Sequence, residues 1–216
     1  MEQLSARINS LPVSETLAMA AKARELKNQG IDIIGLSLGE PDFNTPEFIK
    51  DAAIQAVKDN WNSYSPVDGY ADLKEAICQK FKRDNGLDYK PSQVVVSTGA
   101  KQSIANLCMV LLDPGDEVLL PAPYWVSYSA IATLAEAKSI IIPSSIETDF
   151  KITPEQLEAA ITPKTKLIMF NSPNNPSGTI YTEAEYRALG KVLENHTDIY
   201  ILSDEIYEHI NYGTAH

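Results

Sequence analysis

The sequence predicts an α/β fold, a mostly parallel sheet with helices on both faces. Three observations point there. Short apolar runs alternate with helix-period segments through the second half of the chain. The runs are continuously apolar rather than alternating, as strands covered on both faces are. Turn-rich clusters containing Gly, Pro, Asn or Asp follow the runs, where strands of such a sheet hand over to helices.

Element by element, residues 14–28 read as a helix. Ser14 is placed to cap it after Pro12, Leu17, Ala20, Ala21 and Leu26 keep helical spacing, and Gly30 ends it. Residues 31–38 are a short β-branched stretch running into GEPDFNTP, a loop with two prolines. Residues 46–60 form a second helix with Ile49, Ala53, Ile54 and Val57 on one face, and residues 72–85 a third, stopped by Gly86. Alternation then begins: VVVS (94–97) as a strand, 102–112 as a helix, DPGD (113–116) as a turn and EVLLP (117–121) as a strand. A helix over 126–135, a strand over 139–143, a short helix over 154–161 and a strand over 166–170 follow. The pattern closes with a helix over 182–195 and a strand over 199–203. No repeat or low-complexity tract interrupts it. A change of role is expected near residues 40–46, where an extended N-terminal part meets the α/β body.

Composition bounds the function. The chain has 216 residues, 44% hydrophobic and 22% charged, which is ordinary for a globular protein that buries a core. A formal net charge of -11 argues against a nucleic-acid surface, which needs clustered Lys and Arg. No apolar run approaches the length needed to span a membrane. The first residues lack a signal-peptide layout, so a cytoplasmic location is expected. The two cysteines, Cys78 and Cys108, fall in apolar helical patterns and read as buried thiols. His196, His209 and His216 show no metal-ligand spacing, so no metal is expected.

The residues that carry chemistry gather at strand ends. VVVS is followed by TGAKQS, EVLLP by APYW, KLIMF by NSPNNPSG and IYILS by DEIY. In an open α/β sheet that rim is where ligands bind. Gly99, Ala100 and Lys101 open a helix with small residues, leaving backbone N–H groups to meet an anion for about 0.3–1 kcal/mol. Trp125 follows two prolines and offers a face to a planar ring, although core packing is the plainer role for a tryptophan. Asn174 and Asn175 sit between prolines, where an amide can aim at a hydroxyl or simply shape the turn. Asp204 ends an apolar strand, three residues before Tyr207. A carboxylate there either caps the next turn or pairs with a protonated ring nitrogen, a charge-assisted bond worth about 1.5–3 kcal/mol. Together these residues describe a site for a phosphorylated aromatic cation. Pyridoxal phosphate fits that description, and a protonated pyridine is what makes its ring an electron sink.

Seven segments, in order, resemble class I aminotransferases of fold type I, the bacterial aspartate aminotransferases in particular. They are LGEPDFNTP (38–46), YSPVDGYADLKEAI (64–77), STGAKQS (97–103), DPGDEV (113–118), PAPYWVSY (121–128), SPNNPSG (172–178) and SDEIYEH (203–209). The resemblance implies the large domain of a pyridoxal-phosphate-dependent transferase, incomplete, over residues 46–216, with residues 1–45 an N-terminal arm and part of the small domain. It implies a homodimer that exchanges amino groups between amino acids and 2-oxo acids, with aspartate and 2-oxoglutarate the expected pair. Gly99, Ala100 and Lys101 would hold the cofactor phosphate, helped by Tyr64 from the neighbouring subunit. Trp125 would stack on the ring, Asn175 and Tyr207 would bond its 3-hydroxyl, and Asp204 would meet its nitrogen. Gly39, Lys101, Trp125 and Asn175 would contact substrate. The family also suggests a cis bond at Asn175–Pro176, with Ala122–Pro123 as a second candidate.

The family's Schiff-base lysine, in a Ser-x-Ser-Lys-like segment, and its carboxylate-gripping arginine are expected beyond His216. No lysine here, from Lys101 to Lys191, has that context. Residues 1–216 alone are therefore expected to be inactive. The alternatives are a non-catalytic fragment that keeps a cofactor pocket, or another fold-type-I activity such as an aromatic aminotransferase or a lyase. A regulator with an aminotransferase-like sensor is disfavoured, because residues 1–35 hold no helix-turn-helix and no basic patch.

Overall fold

The computed structural model describes residues 4–11, 15–35, 39, 41 and 43–210. The chain divides into two compact units, residues 12–96 and residues 1–11 with 97–216. This division reflects packing within residues 1–216, whereas the change of role expected near residues 40–46 concerns the domains of the complete protein.

In the first unit, helix α2 spans Glu15–Asn28 (α1 is the short Ala6–Asn9 turn of the other unit), α3 spans Glu47–Lys58 and α4 spans Ala71–Lys80. The expected cap Ser14 and the side chain of Leu17 lie outside the described residues. Gly30 ends α2 at φ 82°, as its position after the last periodic residue predicts. The expected third helix is right in extent but not in kind. After Lys80 it loosens into a π-helical turn, Phe81–Asn85, before Gly86 stops it at φ 68°.

The strand expected over 94–97 does not form. Val94 is extended, with φ -113° and ψ 129°, but the segment joins no ladder. The Val96 N–H instead donates to the carbonyl of Asp68 at 3.1 Å. Branched side chains favour the extended shape, but a strand also needs a neighbour's backbone groups. Gly69 lies against this segment with φ +100°, and a Cβ there would stand 2.5 Å from Cγ2 of Val96, so only glycine fits.

The second unit holds the sheet. Strands β1 (Glu117–Pro121), β2 (Lys138–Ile142), β3 (Thr165–Asn171) and β4 (Tyr200–Asp204) are all parallel, in the order β2-β1-β3-β4. Helices α5 (Ala100–Leu111), α6 (Ser127–Leu134), α7 (Pro154–Ala160) and α8 (Glu183–Leu193) cover it. The continuous apolar runs of β1 and β3 are explained by their two covered faces. Val118, Leu120, Leu167 and Met169 pack with Ile104 and Cys108 of α5 and with Tyr128, Ile131 and Ala132 of α6. Leu119, Ile168 and Phe170 pack with Leu157 of α7 and Leu189 and Leu193 of α8. Cys108 is fully buried as expected, but Cys78 is only half-buried, because α4 contributes no buried residue.

Helices α7 and α8 start with reciprocal caps. Thr153 and Gln156, and Thr182 and Glu185, exchange side-chain and backbone bonds, which satisfies first-turn donors that the helix itself cannot. The strand order also places the site. The chain leaves β1 for β2 on one side and later returns to β3 on the other, so the connections diverge at the C-terminal ends of β1 and β3. Such a switch point opens a crevice at the sheet's carboxyl edge. Among the described residues no helix is long and apolar enough to cross a membrane.

Candidate active site

Three loops leave the carboxyl ends of β1, β3 and β4. The first two are stiffened by proline, with cis peptide bonds at Ala122–Pro123, Ser172–Pro173 and Asn175–Pro176. Two of these were expected, and the one at Ser172–Pro173 was not. The loops are tied together by amides. Asn174 Nδ2 donates to the Pro123 carbonyl at 3.2 Å, and its Oδ1 accepts from the Ser177 backbone N–H and hydroxyl at 3.1 and 2.8 Å. Asn174 thus shapes the turn. Asn175 faces elsewhere, its Nδ2 donating to the hydroxyl oxygen of Tyr207 at 3.0 Å. Turn chemistry left both roles open for the pair, the resemblance pointed to Asn175, and the two amides indeed face different partners.

Asn171, the last residue of β3 and 5% exposed, links the loops after β3 and β4. Its Nδ2 donates to the Asp204 carbonyl at 2.9 Å, and its Oδ1 accepts the Asn175 N–H at 2.7 Å. Asp204, the last residue of β4, is 9% exposed. Its Oδ2 accepts the hydroxyl of Tyr128 at 2.6 Å, and its Oδ1 accepts the Ile206 N–H at 3.2 Å. It therefore does cap the turn that follows, although residues 205–209 make a hydrogen-bonded turn rather than a helix. Among the described residues no Lys, Arg or His pairs with it. Burial of a carboxylate on neutral donors alone is costly, and a cation at the open side would offset it.

The Tyr128 side chain is buried at 1% exposure. Its phenol is held protonated, its pKa pushed well up first by burial and then by its bond to Asp204. The ring also meets Trp125 edge-on, with centroids 5.6 Å apart at 90°. Trp125 is half-buried against the core, so it serves packing while keeping part of its surface free. The ammonium of Lys101 stands 4.8 Å from the Trp125 ring centre.

Lys101 lies in the first turn of α5, a 12-residue helix whose N-cap, Gly99, has φ 88° and ψ 159°. That conformation suits glycine. The neighbouring Thr98 N–H is taken by Gln102 Oε1 at 2.5 Å. The first-turn N–H groups of a helix, those of Ala100 and Lys101 here, have no acceptor within it and present a partial positive charge.

The family described as aminotransferase class I and II has a sequence profile that matches residues 31–216. This chain belongs to that family. Two curated relatives are each 52% identical. The aspartate/prephenate aminotransferase of Nitrosomonas europaea is matched over 96% of this chain and 52% of its own length. The aspartate aminotransferase of Bacillus subtilis is matched over 98% and 53%. The aspartate aminotransferase structure from Rhizobium meliloti superposes with a TM-score of 0.95 at 46% identity, covering 99% of this chain and 53% of that one. The Thermus thermophilus aspartate aminotransferase with maleate also gives 0.95, at 43% identity. The chain spans about half the length of the curated relatives it matches. Family membership implies dependence on pyridoxal phosphate.

The strand-end cluster thus joins Asn175, Asp204 and Tyr207 through Asn171 in one hydrogen-bonded network, with Trp125 reached through Tyr128 and Lys101 standing over Trp125. The donor set fits the cofactor: a lone acid for a cationic ring edge, an amide and a phenol side by side, and a helix start for an anion. Gly39 and Tyr64 belong to the other compact unit, and both are exposed. Sequence reasoning missed Asn171 and Tyr128. A polar residue closing the buried run KLIMFN was a signal for the first. Tyr128 offered none, since a tyrosine on an apolar helix face reads as core.

Proposed function

We propose that the complete protein is a pyridoxal-phosphate-dependent transaminase. It would move an amino group from L-aspartate, or a similar amino acid, to a 2-oxo acid such as 2-oxoglutarate. The observation that carries this reading is Asp204, a buried carboxylate at a strand's carboxyl end with two neutral donors and, among the described residues, no cation. When bound, the cofactor supplies a protonated pyridine that acts as an electron sink for amino-group transfer.

The chain's own residues prepare that chemistry. Asp204 would accept a charge-assisted hydrogen bond from the protonated ring nitrogen. Asn175 and Tyr207, 3.0 Å apart, would hold the ring's 3-hydroxyl. Trp125 would stack on the ring and shield it from water. The start of α5, at Gly99, Ala100 and Lys101, binds the phosphate. Lys101 would also offer its charge to the distal carboxylate of a dicarboxylic substrate, which Trp125 and Asn175 would border, while a substrate contact for Gly39 rests on the resemblance alone. Residues 1–45 would form an arm and part of a small domain, and 46–216 part of the large one. In a cytoplasmic homodimer Tyr64, fully exposed in this chain, would reach the partner's phosphate site. The name of the Nitrosomonas relative adds prephenate to the candidate substrates.

Residues 1–216 on their own are proposed not to transaminate, because none of their lysines has the sequence context of the family's cofactor-bearing one. The test supplies the complete protein with cofactor and L-aspartate, offers 2-oxoglutarate or prephenate in turn, and measures the amino-acid product. Turnover no faster than free cofactor would overturn the proposal.

A further inference from the structure

A carboxylate at the end of a strand is free to turn about two torsions, the second of them soft. Asp204 is held at both oxygens, and the stronger hold is the short bond from Tyr128. The same tyrosine ring stands edge-on to Trp125. One buried side chain, on the first turn of α6, therefore touches both the stacking ring and the acid, although Tyr128 and Asp204 are 76 residues apart. Its hydroxyl can only donate here, because an ionised carboxylate is acceptor-only.

We propose that Tyr128 is a positioning residue. It fixes the rotation of the Asp204 carboxylate relative to the face of Trp125, so that a planar cation stacked on the indole meets the acid at its ring nitrogen. The inference rests on the pyridoxal phosphate reading above. It asks more than that reading does, since Tyr128 touches neither cofactor nor substrate and acts through Asp204. Asn171 holds only the backbone carbonyl of Asp204 and cannot set the carboxylate's rotation. Without the Tyr128 hydroxyl, Oδ2 loses its donor and the carboxylate turns away from the ring or toward whatever water reaches it.

The experiment compares two ligands on the cofactor-free complete protein: pyridoxal phosphate, and its analogue with a carbon in place of the ring nitrogen. Dissociation constants are measured for the wild type, Tyr128→Phe and Asp204→Asn. The wild type should prefer pyridoxal phosphate. Tyr128→Phe keeps the ring and its packing, and should lose about tenfold of the affinity for pyridoxal phosphate but almost none for the analogue. Its preference then collapses toward that of Asp204→Asn. Equal loss for both ligands would mean that Tyr128 only supports the fold, and no loss would mean that it does nothing for Asp204. Either result overturns the inference while the cofactor reading stands. A wild type that binds both ligands alike overturns the inference by removing the Asp204 pairing, and one that binds neither overturns the cofactor reading itself. A second measurement needs no variant. The hydroxyl proton of Tyr128 should give a downfield resonance that moves when pyridoxal phosphate is added and stays when the analogue is added. A resonance indifferent to both ligands would count against the proposal.

Discussion

Asp204 and Lys101 bear opposite charges in different settings, and their predicted losses differ accordingly. Asp204 is buried on neutral donors, so under the proposed function its charge would act on a cationic ring with little screening. In the complete protein, Asp204→Ala should slow the half-reaction with L-aspartate by about a hundredfold or more while leaving the fold intact. Near-normal single-turnover rates would remove Asp204 from the role. Lys101 is exposed at a helix start, its ammonium beside Trp125. Lys101→Ser should weaken aspartate and glutamate about tenfold more than alanine or aromatic amino acids. Equal losses across those substrates would confine Lys101 to the phosphate. At this scale the sequence marked Asp204, Trp125 and Asn175 by their place after apolar runs. Turn chemistry did not separate Asn174 from Asn175, since two amides in one turn differ only in what their side chains reach, and only the resemblance pointed to Asn175.

Elements were legible where their signals are local. Helix α8 begins where Thr182 and Glu185 make it begin, with the Thr182 hydroxyl accepting the Glu185 N–H and Glu185 accepting the Thr182 N–H. Thr182→Ala should cost about 1 kcal/mol and speed hydrogen exchange in the first turn of α8. The Glu185 pKa lies below the ordinary carboxylate value, first because of the Thr182 N–H and then with help from Lys151, whose ammonium is 3.0 Å away. A lowered folded-state pKa adds stability above the unfolded value, and that stability is lost as pH falls through the folded value. The gap in thermal midpoint between wild type and Glu185→Gln should therefore be widest near neutrality and close in acid. A gap that widened in acid would contradict the assignment. Residues 94–97 show the limit of local signals. Their branched run promises a strand, yet a ladder needs a neighbour, and among the described residues none is present.

At the scale of the whole molecule, the sheet ends on β4, where Tyr200 and Ile201 are 50% and 57% exposed. A parallel strand that reads as an apolar run is built to be covered, and an uncovered one invites association. Residues 1–216 expressed alone should form oligomers or precipitate, by light scattering after gel filtration, and produce no glutamate from L-aspartate and 2-oxoglutarate with added cofactor. A stable monomer with turnover well above that of free cofactor would defeat both expectations. The sequence by itself determined the alternation of elements, the covered strands and the rim that bears the polar clusters. Those follow from periodicity and turn chemistry, which act between residues close in the chain. The tertiary structure alone decided that Tyr128 grips Asp204, that Asn171 joins two loops, and that Val94–Ser97 stays unpaired. Each of these depends on which distant segments the packing brings within about 3 Å of one another, a distance that no local pattern encodes.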